Sequence, residues 1–444
     1  MSTHATAVLG QRVVGFFDSR FQHVARNSVW TAVTTIVVAG AVFAETILLA
    51  RYLGTKGFGV YVLVIAYPEA IQIILDFRTR EAMTRYLGDF LARNQAWEAV
   101  AVVKLLSLIN LGVLVSAFLI VVASAPLVAP WLTDDREAAS LMQVYAIAML
   151  FGGLDTTAGS VLRVFDRFRL SFLTGAGMIV LRVSIVAGLI SAHSSLEGLI
   201  WGRVVAEIVT TSVIGGNAFV LLKRALWPHR RAPIRVLSSR RGEITRFLLH
   251  LNVQGSIRAA ATKLDVLLVG LLGGPASASI YKVGVQFGSS PLLLSDPLFV
   301  AVYPLFTRWR ALGHTHEIRS VGRKATLVLA SVALPVAASL AMESKPIVST
   351  AVGADFSDAW LPMVVILVAV LPVVSLFWGR AAMLSFGDAR TATRIILAAT
   401  ALQLALLAVL VPLYGATGGA VAFAAMNLSS ALLTLVYLKK RVLV

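Results

Sequence analysis

Twelve long apolar runs dominate this sequence, and each is long enough to cross a lipid bilayer. A transmembrane helix needs about 20 predominantly apolar residues. Only 14% of the residues are charged, whereas a soluble domain carries about 25%. The composition therefore excludes a soluble enzyme and a disordered chain, and the absence of cysteine excludes a disulfide scaffold. The runs lie at 29–50, 58–75, 99–123, 139–160, 170–192, 196–222, 247–272, 276–303, 325–342, 359–386, 394–414 and 416–438.

Lysine and arginine are concentrated on one side of the predicted membrane. The segments on that side hold 28 of the 39 Lys and Arg residues, and the loops on the other side hold four. Because cytoplasmic loops are rich in these residues, we expect a multi-pass protein of the cytoplasmic (inner) membrane with both termini in the cytoplasm. The net charge of +17 then reflects topology and contact with anionic lipids, and no nucleic-acid partner is expected.

The distribution of charge also divides the chain into domains. The segment 223–246 holds eight Lys and Arg residues and separates six apolar runs from six, which is typical of a cytoplasmic linker. It divides an N-lobe at 29–222 from a C-lobe at 247–438, and a basic tail follows at 439–444. The segment 1–28 suits an amphipathic helix on the cytoplasmic face, and equally an extended first span or a frayed tail.

The two predicted lobes resemble each other at a constant spacing of 220 residues. At this spacing Glu45 aligns with Asp265, and Gly54 aligns with Gly274. Further matches are Tyr61 with Tyr281, Asp76 with Asp296, Lys104 with Lys324 and Gly198 with Gly418. An even number of spans in each lobe gives both lobes the same orientation. A parallel repeat of this kind favours a transporter whose site lies between the halves.

Basic residues inside the spans indicate a functional cavity. A charge in the middle of a bilayer costs about 2.5–3.5 kcal/mol even on the lenient insertion scale, so these residues must face water, a partner or the interface. The three deepest align with apolar residues of the first lobe, so the shared scaffold does not require them. They are Arg258, Lys263 and Lys282. We predict that they line a wet cavity for an anionic substrate, with Arg182 as the next candidate.

Acidic residues inside the spans are candidates for coupling and gating, because a partly buried carboxylate can exchange a proton or bind a cation. They are Glu45, Asp265, Glu69, Asp76 and Asp296. Glu45 and Asp265 are favoured because the repeat pairs them, and they are equally suited to form salt bridges with Arg258 and Lys263. Arg203 and Glu207, four residues apart, are expected to neutralise each other.

Three segments resemble a known membrane-protein family. The run ARYLGTKGFGVYVLVIAYPEAIQIILD at 50–76 is similar to the first-to-second-helix signature of the polysaccharide-repeat flippases, also called oligosaccharide or O-antigen flippases. The runs LDVLLVGLLGGPASASIYKVG at 264–284 and LVPLYGATGGAVAFAAM at 410–426 resemble the family's seventh-to-eighth segment and its last hairpin. Together these segments make the resemblance extend over essentially the whole chain. The signature positions are Leu53, Gly54, Gly59, Tyr61 and Asp76.

The resemblance implies membership of the multidrug/oligosaccharidyl-lipid/polysaccharide exporter superfamily, with two six-helix bundles arranged as a V around a central cavity. It implies a transporter and not an enzyme. The implied function is translocation of a polyprenyl-pyrophosphate-linked oligosaccharide from the inner to the outer leaflet by alternating access. Cavity cations of the family are thought to contact the pyrophosphate. That role maps onto Arg258, Lys263, Lys282, Arg182 and the mouth pair Arg78 and Arg80.

Other functions stay open from the sequence alone. A cation-coupled multidrug exporter of the same superfamily would favour an acidic cavity. A membrane glycosyltransferase or polymer ligase would need an acceptor site, and the pair Asp134–Asp135 is more typical of helix capping than of metal binding. A channel is disfavoured by the repeat.

Energy for transport is expected from outside the chain. No nucleotide-binding or metal-binding motif occurs in the sequence. We therefore expect no cofactor, and coupling to a Na⁺ or H⁺ gradient or to the membrane potential. The expected partners are a lipid-linked oligosaccharide, anionic lipids, and glycosyltransferases and a polymerase of the same pathway.

Overall fold

The computed structural model describes the backbone of residues 3–133 and 137–443, and this part of the chain is built from helices. Side chains are described within these ranges except at 3–35, 168, 250–251, 253–263, 294, 296–297, 300–301 and 443. The α-helices are α1 (Thr3–Leu75), α2 (Thr79–Ala92), α3 (Ala96–Thr133), α4 (Ala138–Val164), α5 (Phe168–Ser191), α6 (Leu196–Leu226), α7 (Arg241–Gly288), α8 (Ser295–Ala311), α9 (Thr315–Met342), α10 (Ser344–Val352), α11 (Trp360–Ser375), α12 (Phe377–Ser385) and α13 (Ala389–Leu438). Short 3₁₀ helices lie at Trp227–His229, Ile234–Arg240, Ser290–Leu294 and Ala354–Ala359, and a π-helical turn lies at Lys439–Leu443.

Three of the long helices are hairpins. α1, α7 and α13 each leave helical geometry at one glycine with a positive φ, at Gly54, Gly274 and Gly415. Glycine suits this position because it has no Cβ to clash in the left-handed region. Side chains on both sides of Gly54, including Glu45 and Glu69, line the same cavity, so the chain reverses there. Each hairpin therefore supplies two spans, which we call its first and second arms.

The arms and the other long helices form two sets of six spans, as predicted. The first lobe contains both arms of α1 and the helices α3, α4, α5 and α6. The second lobe contains both arms of α7, then α9, the pair α11 and α12, and both arms of α13. The second arm of α7 continues through Ser290–Leu294 into α8. The short helices α2 and α10 connect spans.

The turns repeat between the lobes at, or within one residue of, the predicted spacing of 220 residues. Gly54 and Gly274 have nearly the same backbone conformation, with φ of 67° and 79° and ψ of −179° and 173°. The left-handed residue Asp166, which precedes α5, lies 221 positions before Gly387, which precedes α13. The parallel repeat seen in the sequence is therefore a repeat of backbone geometry.

The predicted cytoplasmic segment 1–28 is helical from Thr3 onward. The backbone of α1 runs without a break from Thr3 to Gly54, so this segment continues directly into the first span. Its side chains lie outside the described set. Its placement on the membrane surface stays a prediction.

The basic linker at 223–246 is folded against the first lobe. Its Ala232 and Leu237 are buried in a cluster with residues of α2 and α3. The Lys104 ammonium on α3 donates hydrogen bonds to the carbonyl oxygens of Arg230 and Ala232, at 2.7 and 2.9 Å. Since the linker is held by both apolar burial and hydrogen bonds, it is an ordered part of the first lobe and not a loose tether.

The two lobes meet at the end of the molecule that contains Gly54, which we call the Gly54 end. The Arg51 guanidinium donates hydrogen bonds to the carbonyl oxygens of Thr350 and Ala351 across the lobe boundary. The rings of Phe58 and Phe356 pack edge to face with centroids 6.1 Å apart. α1 also approaches the second lobe so closely at Gly59 that a Cβ there would overlap the backbone of Pro275. Small residues permit this kind of backbone contact between membrane helices.

This close approach predicts the effect of adding one methyl group. Gly59→Ala should destabilise the protein by about 1–3 kcal/mol, because the backbone of Pro275 has no room for a Cβ. The measurement is the midpoint of thermal unfolding of the purified protein in detergent. The matched control is Gly40→Ala on the first arm of α1, where an added Cβ meets nothing within 4 Å. Equal midpoints for the two variants would contradict the packing.

Candidate functional site

A cavity of about 660 Å³ lies between the lobes. Its first-lobe wall comes from both arms of α1 and from α5 and α6, and its second-lobe wall comes from both arms of α7 and from α11 and α13. Equivalent positions of the repeat face each other across it, such as Glu45 with Asp265, and Val62 with Lys282. Charged side chains line both walls, so the spans enclose a polar space. The charged lining residues are Glu45, Glu69, Arg182, Arg203, Asp265 and Lys282.

Glu45 binds two arginines on the first-lobe wall. Its carboxylate is 5% exposed and accepts from Arg182 Nη2 at 2.5 Å and from Arg203 Nη1 at 3.0 Å, one guanidinium on each oxygen. The predicted pairing of Arg203 with Glu207 is therefore wrong. The reason is that Glu45 faces α5 and α6 from α1 and presents one oxygen to each, which gives both arginines a buried partner on a neighbouring helix. The alternative in which Glu45 pairs with Arg258 or Lys263 involves side chains outside the described set.

The second-lobe acid has a different partner. Asp265 is also 5% exposed, and its carboxylate accepts a hydrogen bond of 2.8 Å from the hydroxyl of Tyr281. The equivalent pair in the first lobe is Glu45 and Tyr61, but Glu45 binds arginines instead. The Tyr61 hydroxyl is buried and has no hydrogen-bond partner among the described residues. The two walls therefore share a scaffold and differ in their polar contacts.

The Glu45 cluster retains unused hydrogen-bond donors. The Nε atoms of Arg182 and Arg203 are buried and have no hydrogen-bond partner in the described part of the chain. A buried polar group without a partner is costly, about 1–3 kcal/mol. The Tyr61 hydroxyl is a third such group, and all three atoms are shielded from solvent in this structure, so a ligand reaches them only if these side chains move.

Lys282 and Glu69 lie on opposite walls. Lys282 is half-buried on the second arm of α7, and its equivalent Val62 lines the first-lobe wall. Glu69 accepts a hydrogen bond of 3.1 Å from the hydroxyl of Tyr145. Among the described lining residues three basic groups face three acidic groups, so their formal charges balance. The predicted excess of positive charge therefore depends on Arg258 and Lys263, which, like Asp296, lie outside the described side chains.

The predicted mouth residues do not line this cavity. Asp76 follows α1, and its carboxylate accepts a hydrogen bond of 2.8 Å from the backbone N–H of Arg78, which has a left-handed φ of 52°. The Asn252 amide of α7 donates to the Asp76 carbonyl oxygen at 2.8 Å. Arg80 is exposed, 3.8 Å from Glu81. Asp76 thus stabilises a turn at the end of the molecule remote from Gly54 and joins α1 to α7.

Known proteins resemble this chain in sequence and in fold. A model of the family described as "Polysaccharide biosynthesis protein" matches residues 24–309. The chain belongs to this family. The inner membrane protein YghQ of Escherichia coli (strain K12), one similar protein, is 25% identical over 359 residues, which cover 78% of this chain and 97% of that protein.

The fold of this family member is shared with solved transporters. A multidrug resistance MATE family transporter of the MOP superfamily, in an inward-facing conformation, matches with a TM-score of 0.71 at 12% identity over 93% of this chain and 98% of that one. The lipid II flippase MurJ, in an inward closed conformation, matches with a TM-score of 0.70 at 14% identity over 94% of this chain and 87% of that one. Identities this low show the fold alone.

These findings confirm the coarse predictions. The protein is a multi-pass membrane protein of the polysaccharide biosynthesis family with the two-lobed fold of the MOP superfamily. The solved proteins that share this fold include a transporter and a flippase. The alternative based on Asp134–Asp135 rests on residues outside the described part of the chain.

The residues predicted for the site from the sequence do not include several polar residues that the structure places there. Arg203 was assigned to a local pair, and the partners Tyr145 and Tyr281 were not considered as ligands of acids. The repeat carried a usable signal, since Tyr61 and Tyr281 align with the same offset as Glu45 and Asp265. No sequence signal linked Glu45 to arginines 137 and 158 residues away.

Removing the charge of Glu45 is predicted to lower the stability of the protein strongly. Glu45→Gln leaves two buried guanidinium groups without their carboxylate, and removing one partner of a buried pair costs about 3–5 kcal/mol. Thermal unfolding in detergent should show a clear loss of stability, and adding Arg182→Gln should recover part of it. The control Arg93→Gln breaks the exposed 2.8 Å pair with Asp89 and should cost less than about 1 kcal/mol. Equal losses in Glu45→Gln and Arg93→Gln would refute the assigned role of Glu45.

Proposed function

We propose that the protein flips a polyprenyl-pyrophosphate-linked oligosaccharide, the repeat unit of a polysaccharide, from the inner to the outer leaflet by alternating access. One observation carries the proposal: a cavity between two membrane-embedded lobes holds Arg182, Arg203 and Lys282 on facing walls. Family membership and the fold shared with the lipid II flippase MurJ support it.

The chemistry of the cavity fits a diphosphate. A charged group that crosses hydrocarbon unaided meets a large barrier, because the bilayer core cannot solvate it. Arginine offers five donors in a planar fork that matches phosphate oxygens, and lysine offers a compact charge. Glu45 takes one nitrogen from each of Arg182 and Arg203 and holds both guanidinium groups at the cavity wall. The diphosphate thus meets donors already ordered by an internal anion, while the polyprenyl tail stays in lipid at the gap between the lobes.

The closed contacts at the Gly54 end fit one state of an alternating-access cycle. The distribution of Lys and Arg predicts that this end faces the outside of the inner membrane and that both termini are cytoplasmic. In this orientation Arg51, Phe58 and Gly59 separate the cavity from the external side. Release to the outer leaflet then requires these contacts to part.

The energy source and partners are part of the same proposal. Glu45 and Asp265 are candidates to couple the cycle to Na⁺, H⁺ or the membrane potential, since both are buried acids on the cavity wall. Glycosyltransferases and a polymerase of the same pathway would supply and consume the lipid-linked unit. Arg258, Lys263 and Lys282 remain the proposed contacts of the pyrophosphate.

The second candidate is a cation-coupled multidrug exporter. The fold shared with a MATE family transporter is the observation that favours it. The described lining balances three basic groups against three acidic ones, so the argument against a lipophilic cation rests on the predicted contribution of Arg258 and Lys263. Efflux of a cationic dye from cells that express this chain, with no effect on polymer assembly, would establish the exporter and reject the flippase.

Neutralising cavity cations tests the proposal directly. Lys282→Gln and Arg258→Gln should abolish polymer assembly in cells that depend on this chain, because the diphosphate loses its counter-charge. Surface polymer and the amount of protein in the membrane are both measured. The control Lys56→Gln removes an exposed lysine near the Gly54 end and should leave polymer intact. Intact polymer in both cavity variants would mean that the proposed site is wrong.

A reversible cross-link tests alternating access. The chain has no cysteine, so Arg51→Cys with Ala351→Cys introduces a single pair at a contact across the lobes. Oxidation should join the lobes at the Gly54 end and stop polymer export, and reduction should restore it. Each single variant serves as the control. Export that continues in fully cross-linked protein would show that this end does not open.

A further inference from the structure

A second charged pocket lies far from the central cavity, between the start of α5 and the end of α6. It encloses about 560 Å³ and contains Arg167, Arg169 and Arg224. Arg167 immediately precedes α5, Arg169 lies in its first turn, and Arg224 lies in the last turn of α6. We call it the arginine pocket. Arg167 and Arg169 come from the start of α5, and Arg224 comes from the end of α6.

The arginine pocket has an excess of positive charge. Asp166 is the single acidic residue among its described lining, so the formal charge of the lining is two positive units. Arginine stays protonated at any physiological pH, so this excess is permanent. Asn217 adds an amide to the same lining. Charge and donors of this kind recognise phosphate oxygens through charge-assisted hydrogen bonds.

An apolar wall continues directly from the arginines. It is formed by Leu170, Leu173, Val220 and Leu221. Leu173 is 51% exposed and Val220 is 45% exposed, although both belong to apolar membrane-spanning helices. Exposed apolar side chains on a span face acyl chains of the bilayer. The pocket therefore joins a cationic end to a lipid-facing surface.

The arginine pocket is separate from the proposed transport site. It shares no lining residue with the central cavity among the residues described. On α5, Leu173 and Arg182 are nine residues apart, which is about two and a half helical turns, so they lie on opposite faces. Since Arg182 faces the cavity, Leu173 and the pocket face away from it.

We infer that the arginine pocket binds a phospholipid with an anionic headgroup, its phosphate among Arg167, Arg169 and Arg224 and its acyl chains along Leu173 and Val220. Basic pockets between transmembrane helices at the membrane surface are typical sites for anionic lipid headgroups. A free phosphate ion would use the guanidinium groups but not the apolar wall. Because the arginines and the apolar wall adjoin in one pocket, a lipid fits better than a free phosphate ion. The lipid would lie between α5 and α6, which also form part of the cavity wall.

Native mass spectrometry of the purified full-length protein tests this inference. Phosphatidylglycerol and phosphatidylcholine are supplied at equal concentration, and the retained lipid is counted. The wild type should retain phosphatidylglycerol preferentially. Arg167→Gln, Arg169→Gln and Arg224→Gln together should lower its occupancy at least tenfold. The matched control changes Arg231, Arg235 and Arg241 to Gln, which removes the same charge from exposed positions outside the pocket and should leave occupancy within twofold.

Two further variants keep the test decisive if the triple Gln variant does not fold. Arg224→Gln alone should lower phosphatidylglycerol occupancy severalfold. Leu173→Ser should lower it without any change of charge, because it removes part of the acyl-chain wall. Unchanged occupancy in both would overturn the inference.

Two competition results would also overturn the inference. Glycerol 1-phosphate that displaces phosphatidylglycerol at matched concentration would show that the apolar wall contributes nothing and that the ligand is a soluble phosphate. A polyprenyl diphosphate that displaces it at a much lower concentration would show that the pocket belongs to the transported substrate. The inference is supported when neither competitor displaces the lipid in this way.

Discussion

A single buried carboxylate organises the centre of this molecule. Glu45 holds Arg182 and Arg203 inside a membrane, where neither guanidinium could remain charged at low cost without a partner. The three residues lie on α1, α5 and α6, so the ion cluster also fixes how these helices pack around the cavity. Both arginines also line the cavity, so the cluster that orders the helices lies where the proposed substrate would bind. The other charged residues of the cavity lie around this ion cluster.

The internal repeat explains why the two walls have different chemistry on a common frame. Both lobes place an acid at the same position of their first arm, and both reverse direction at a glycine of the same conformation. In the second lobe the acid binds the tyrosine of its own hairpin, whereas in the first lobe arginines have displaced that tyrosine. The position equivalent to Arg203 is Phe423, which lines the facing wall. Divergence of polar residues on a duplicated scaffold thus produced an asymmetric cavity without altering the helices that build it.

The fold was predictable from the sequence because hydrophobic run length, the Lys and Arg distribution and the 220-residue offset all constrain it independently. The site was predictable only in part. Repeat symmetry favoured Glu45 and Asp265, and departure from the repeat favoured Lys282; all three line the cavity, while their proposed roles stay predictions. The partner of Arg203 was predicted wrongly, because spacing along one helix indicates a local pair but does not report an acid on a neighbouring helix. The packing of α1 beside α6 gives Arg203 the partner Glu45. Asp76 was a candidate because of its charge, and its carboxylate stabilises a turn.

The position of Glu45 also connects binding to the movement of the lobes. Glu45 and Arg51 are six residues apart on the first arm of α1, about 9 Å along one continuous helix. Arg51 forms the contact with the backbone of Thr350 and Ala351 that joins the lobes at the Gly54 end. In the proposed cycle, an anion that binds Arg182 and Arg203 would weaken their pairs with Glu45. Because a packed helix moves as a unit, a shift at Glu45 would reach Arg51, whose contact with the second lobe must part for release.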